Sequence, residues 1–239
     1  MPRSAPRSIA HQTVAELGGP TSVLVRQRTD HEKLDRLLTE LQASSGTAQE
    51  EVLTRIDRLV FSHAFAEETV LWPVLRRVLA DGEQLTLRVE QEHQEVSELV
   101  AAVERDGAAD PRRADRLSRL VEVLREDVRD EEDLLFPRLQ ERLSTAELRR
   151  LGWRWEFARR VSPTRAHPTV SRRPPGNALS GLPLSLLDRT RDLVDAGVRR
   201  APHRFAPAGR AVSQGLAGLA GLVERMPPAR KGDRPPTSR

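Results

Sequence analysis

Between residues 21 and 147 apolar side chains recur at steps of three and four, and no stretch alternates apolar with polar residues. That is the period of amphipathic helices laid against a core. Four helices are predicted. The first runs from about Thr21 to Ala43, with Leu24, His31, Leu34, Leu38 and Leu41 on its stripe, and Ser44-Ser45-Gly46 ends it. The second runs from about Gln49 to Leu79, with Ile56, Val60, His63, Glu67, Val70 and Val74, and breaks at Ala80-Asp81-Gly82. The third runs from about Glu83 to Arg105, with Leu85, Val89, His93, Val96, Val100 and Val103. Asp106-Gly107 and Asp110-Pro111 separate it from the fourth, about Arg112 to Leu143, which carries Leu117, Leu120, Leu124, Asp127, Glu131, Leu134 and Arg138. Amphipathic helices joined by a few residues predict an all-α, up-down-up-down four-helix bundle.

The stripes contain residues that an apolar core does not want. His31, His63, Glu67, His93, Asp127 and Glu131 all fall three or four positions from stripe aliphatics, and every helix supplies at least one. Burying an unpaired carboxylate costs several kcal/mol, and no basic residue shares the level of these three on the stripes. A multivalent cation resolves the conflict, with imidazoles and carboxylates as its donors. His63 and Glu67, like Asp127 and Glu131, are one helical turn apart on one face, so each pair is able to grip one ion. Six donors suit two ions that share carboxylates better than one. Taken singly, each position also fits a hydrogen-bonded core residue or a solvated stripe edge, and Glu67 and Glu131 have the further acids Glu68 and Glu132 beside them.

An internal repeat sets the register. RQRTDHEKLDRLL aligns with RVEQEHQEVSELV at an offset of 62, which pairs Asp30 with Glu92 and His31 with His93. HAFAEETVLWPVL aligns with DVRDEEDLLFPRL at an offset of 64, which pairs Glu67 with Glu131, Glu68 with Glu132, Trp72 with Phe136 and Pro73 with Pro137, and sets His63 against Asp127. Two helical hairpins related by a pseudo-twofold place equivalent donors on either side of the axis. Each proline lies six residues after a donor glutamate, where a missing N–H bends the helix and is able to shape one end of a pocket.

Composition narrows the chemistry. There is no cysteine among the 239 residues, which excludes thiolate zinc, iron–sulfur clusters and a disulfide scaffold. No apolar run is long enough to span a membrane and the N-terminus lacks a signal-peptide stretch, so a cytoplasmic protein is expected. The net charge of +4 conceals a split: residues 21–147 carry 18 basic and 28 acidic side chains, and residues 148–239 carry 19 and 6. The chain therefore divides into an N-terminal segment (1–20), an acidic bundle (21–147) and a basic tail (148–239) that holds eleven prolines from Pro163 onward.

The Asp30-His31, His63-x-x-x-Glu67-Glu68…Trp72-Pro73, Glu92-His93 and Glu131-Glu132…Phe136-Pro137 runs resemble the hemerythrin-like, HHE cation-binding family over roughly residues 21–145. The resemblance implies a four-helix bundle around a non-haem di-iron centre, with His31, His63, Glu67, His93 and Glu131 as ligands; manganese or zinc are alternatives. The family usually has a fourth histidine where this chain has Asp127, and its oxygen carriers have a second histidine where this chain has Ser97. A donor set with more carboxylate favours the ferric state. It points to O2, NO or peroxide as a ligand to be sensed, or to peroxide-consuming or iron-oxidising catalysis, rather than to oxygen transport. A metal-free interaction module is the remaining alternative.

In the tail, residues 159–177 read as an extended or disordered linker with His167 exposed, and His203 likewise. Two short amphipathic helices are expected at Leu186–Val198 and Ala211–Met226. They fit folding back on the bundle or on each other, an acidic partner, a second copy or a membrane surface; specific nucleic-acid binding is not expected, because the arginines lack interleaved aromatics.

Overall fold

The computed structural model describes residues 7–106, 110–200 and 206–232. It is all-helical, with no strand among the described residues. Helix α1 is Val23–Gln42, started by Ser22, whose hydroxyl accepts from the Leu24 N–H. Helix α2 is one rod of three stretches, Gly46–Ala66, a wider π-turn Glu67–Leu71, and Trp72–Val78. Helix α3 is Gly82–Asp106. Helix α4 repeats α2: Arg113–Asp130, the π-turn Glu131–Leu135, and Phe136–Arg142. Short links make α1–α4 the expected bundle.

Proline explains the two π-turns. In a regular α-helix the N–H of residue 73 would reach the carbonyl of Thr69, and that of residue 137 the carbonyl of Asp133. Proline has no such hydrogen, and its ring collides with that carbonyl. The helix widens instead: Trp72 donates to the Glu67 carbonyl and Phe136 to that of Glu131, five residues back. The widened turns start at Glu67 and Glu131, and such bulges often mark function.

The core has two apolar parts. One gathers Leu24, Leu71, Trp72, Leu75, Phe136 and Leu139; the other gathers Leu34, Leu38, Ile56, Val96, Leu120 and Leu124. The polar residues of the stripes fall between them on every helix.

Three helices follow. Helix α5, Thr145–Val161, opens with a capping box between Ser144 and Glu147 and lies across α1 and α2. It crosses α1 at Gly152, where a Cβ would lie 2.0 Å from the Thr21 carbonyl oxygen. From the sequence no helix is expected over this stretch, most of which falls in the basic tail. Helices α6, Gly176–Arg200, and α7, Ala206–Arg225, pair with each other and are longer than the short pieces predicted. None of the described helices is long and apolar enough to cross a membrane.

Two expectations for the tail are corrected. The arginine-rich stretch after α5 is not a solvated linker: Ser162, Thr164, His167, Ser171, Arg172 and Arg173 are all buried. His167 is not exposed; its two ring nitrogens lie 3.0 Å from Asp188 of α6 and 3.0 Å from Glu224 of α7. The reason is charge complementarity within the chain. Arg173 pairs with Glu90 and Glu83 of α3, and Arg165 with Glu104 of α3 and with Asp192 and Asp195 of α6. The basic tail thus finds much of its counter-charge on the acidic bundle. His203 lies outside the described residues.

Candidate metal centre

Between the two apolar parts the six predicted residues come together, one or two from each bundle helix. His31 Nε2 lies 3.3 Å from His63 Nε2 and 3.1 Å from Glu131 Oε2. Glu67 stands between two histidines, with Oε1 3.1 Å from His63 Nε2 and Oε2 3.6 Å from His93 Nε2. Asp127 Oδ1 is 3.5 Å from His93 Nε2. Two donors on one ion at bond lengths of about 2.0–2.2 Å sit about 3.0–3.5 Å apart. The donor atoms form two triads, His31–His63–Glu131 and Glu67–His93–Glu131, each within 4.8 Å, and Glu131 belongs to both.

Carboxylate oxygens in this cluster are left without hydrogen-bond partners. Glu67 Oε2, Asp127 Oδ1 and both oxygens of Glu131 are buried with none. Buried polar atoms are nearly always satisfied, so four orphaned acceptors in one cluster fit a cation. The electrostatics agree. Burial pushes Glu67 and Asp127 well above the usual carboxylate range and Glu131 up to about 7, with neighbouring carboxylates adding to the effect. Burial opposes charge on His31 too, but Glu131 and Glu132 outweigh it and raise that imidazole to about 10. Burial takes His93 the other way, to about 4.

Each imidazole is aimed by an acid behind it. His31 Nδ1 donates to Glu132 at 2.9 Å, His93 Nδ1 to Glu68 at 2.9 Å, and His63 Nδ1 to Asp30 at 3.3 Å. A carboxylate only accepts, so each Nδ1 carries a proton, and in the neutral imidazole that a metal requires each Nε2 has its lone pair turned inward. His31 with Glu132 and His93 with Glu68 are pseudo-twofold mates. The third contact breaks the symmetry. Glu92, the mate of Asp30, has the carboxylate Asp127 as an electrostatic neighbour, and a carboxylate has no N–H to give. Glu92 Oε2 is accordingly an orphan, and burial followed by repulsion from Asp130 raises that carboxyl to about 7.

Sequence reasoning placed Glu68 and Glu132 beside the donors but gave them no task; the signal was the doubled acid repeated in both halves. It missed Gln27, whose amide donates to Glu67 Oε1 at 2.7 Å. It also missed the aromatic jacket. Phe136 stacks at 6.2 Å on His31 and Trp72 at 6.4 Å on His93, and Trp155 of α5 meets His63 edge-on at 5.4 Å.

The model of the hemerythrin HHE cation binding domain family matches residues 23–139, the stretch that holds all six residues. Residues 23–139 are a hemerythrin HHE cation-binding domain. Among known proteins, the chain is 31% identical over 131 residues to a DNA nickase of Nostoc sp., a match that covers 54% of this chain and 36% of that protein. It is 27% identical over 134 residues to an uncharacterized hemerythrin-like protein of Schizosaccharomyces pombe, covering 56% of this chain and 66% of the relative. The chain thus spans about a third of one relative and under two thirds of the other. No solved structure matches it significantly. The hemerythrin domain carries a buried His/Glu cluster consistent with a metal site.

Proposed function

We propose that the hemerythrin domain holds a non-haem di-iron centre through His31, His63, Glu67, His93, Asp127 and Glu131, and uses it to bind a small oxidant or gas: O2, NO or peroxide. The observation that carries this reading is the pair of donor triads joined at Glu131, with Glu67 offering one oxygen to each side. One carboxylate common to two triads, and a second that reaches a histidine of each, suit two ions better than one. A di-iron centre supplies electrons and open coordination positions for such ligands.

The remaining work belongs to the chain. Glu132, Glu68 and Asp30 hold the imidazoles in the tautomer that leaves Nε2 free to coordinate. Gln27 restrains one oxygen of Glu67. Trp72, Phe136 and Trp155 exclude water and so strengthen every electrostatic contact inside.

Asp127 carries a second reading. An aspartate in the place of an imidazole hardens the donor set and favours ferric iron, which suits turnover of peroxide or oxidation of iron. Anaerobic loading with Fe(II), elemental analysis, and an optical spectrum before and after air test the first reading; loaded protein that consumes peroxide over many cycles supports the second. Protein that stays helical and takes up no metal contradicts both.

A further inference from the structure

Helices α1, α2, α5 and α6 border a surface cleft of about 630 Å3, the size of a small-molecule site. Six of its lining residues are cations: Lys33 of α1, Arg55 and Arg58 of α2, Arg159 and Arg160 of α5, and Arg189 of α6. Two are acids, Glu156 and Asp192, and both are buried in its wall.

Four of the cations have acid partners. Arg55 pairs with Glu40 at 2.7 Å and Arg58 with Asp192 at 2.8 Å, while Arg159 and Arg160 share Glu156 at 3.1 and 2.8 Å. Asp30 also stands 3.9 Å from Arg159. Lys33 and Arg189 differ: among the described residues no carboxylate is within ion-pair distance of either. Arg189 is held instead by neutral oxygens, with Nε donating to Ser185 Oγ at 3.1 Å and Nη2 to the Arg160 carbonyl at 2.8 Å. The cleft thus keeps two positive charges after every pairing within the chain is counted.

We propose that this cleft binds a small molecule carrying two or more phosphate groups. A cleft with an excess of one sign of charge concentrates the opposite ion. Lys33 and Arg189 supply that excess, and planar guanidinium forks match phosphate oxygens. The paired arginines contribute too: exposed ion pairs are weak, and each guanidinium has five N–H groups, so Arg58 and Arg160 have donors to spare. Leu59 and Leu193 line the same cleft and offer an apolar surface to an organic portion of the ligand. No aromatic side chain lines it, so it lacks the stacking platform that a nucleic-acid strand uses. The metal centre plays no part in this site, and the outcome of its test is separate from that of the metal reading.

The test is isothermal titration calorimetry of ADP and of pyrophosphate into the full chain at about 150 mM salt. Each should bind once per chain. Tighter ADP assigns an organic ligand and tighter pyrophosphate an inorganic one, and both results support the phosphate class. Lys33→Glu, whose ammonium has no partner to lose in the fold, should weaken either probe by about tenfold or more, as should Arg189→Glu. Arg142→Glu makes the same change of charge at an exposed arginine outside the cleft and should leave both probes within about twofold. Absence of binding by both probes up to about 1 mM, or an equal loss in Arg142→Glu, overturns the proposal. So does duplex DNA that displaces ADP and binds more tightly, which would make the cleft part of a nucleic-acid surface.

Discussion

Replacing Arg173 by methionine measures how firmly the C-terminal segment belongs to the fold. Arg173 is 7% exposed and Glu90 fully buried; Nε and Nη2 of Arg173 lie 2.9 and 2.7 Å from Glu90 Oε2, and Nη1 lies 2.5 Å from Glu83. Burial raises the Glu90 carboxyl even with Arg173 and Arg76 beside it. Removing one partner of a buried pair costs about 3–5 kcal/mol, because the other charge is stranded. Arg76 still reaches Glu90, which lowers the expected loss to about 2–3 kcal/mol, and the half-exposed Glu83 adds little. For a chain of this size that is a fall in melting temperature of about 4–12 °C. The assay is thermal and urea unfolding of metal-free protein, followed by far-UV circular dichroism. Adding Glu90→Leu to Arg173→Met should recover most of the loss, since removing both partners is close to neutral and Arg76 keeps Thr86 and Glu83. A single variant within about 0.5 kcal/mol of wild type, or a double variant no better than the single, would refute the buried pairing.

Three further outcomes are expected. His167 resists burial because Asp188 and Glu224 raise its imidazole to about 9 from the usual 6.5; the stabilisation it provides is full below pH 6.5 and fades as pH rises through about 9. The difference in unfolding free energy between wild type and His167→Gln should therefore shrink by up to about 3 kcal/mol between pH 6 and pH 10, and a difference independent of pH contradicts the clamp. Gly152→Ala should cost about 2–3 kcal/mol and shift tryptophan emission to the red, because α5 must lift from the Thr21 carbonyl; unchanged melting and emission count against that crossing. Glu131→Gln should act in two directions. Its carboxyl titrates near 7 in the metal-free cluster, so at pH 8 the ionised form costs up to about 3 kcal/mol and the amide should make metal-free protein more stable by about 1–2 kcal/mol, while iron uptake falls. A variant that loses stability without metal and still binds it as wild type does speaks against a crowded anionic cluster.

The bundle was legible because the helical stripe is a one-dimensional signal, and the repeat fixed its phase at His31 and His93. Pro73 and Pro137 announced a disturbance, though not that it would take the form of a π-turn beginning at a donor. The acids behind the histidines were harder to read. Adjacent helix residues point about 100° apart, so Glu68 and Glu132 read only as further acids beside Glu67 and Glu131; in the structure Glu68 faces His93 and Glu132 faces His31 across the bundle. The tail was misread for a related reason. An arginine in a proline-rich stretch looks solvated when its partner is remote, and Arg173 lies 83 positions from Glu90. The opposite charges of bundle and tail were visible from the start; their mutual burial was not, because residue counts carry no geometry.

The measurement closest to the central claim is the metal content of the full chain, by elemental analysis after anaerobic iron loading and exhaustive dialysis, for wild type and for Glu67→Ala with Glu131→Ala. The account predicts two iron ions per wild-type chain and loss of nearly all of them in the double variant, with helicity retained. Wild-type protein of full helicity that holds no iron, or a double variant that keeps both ions, would contradict it.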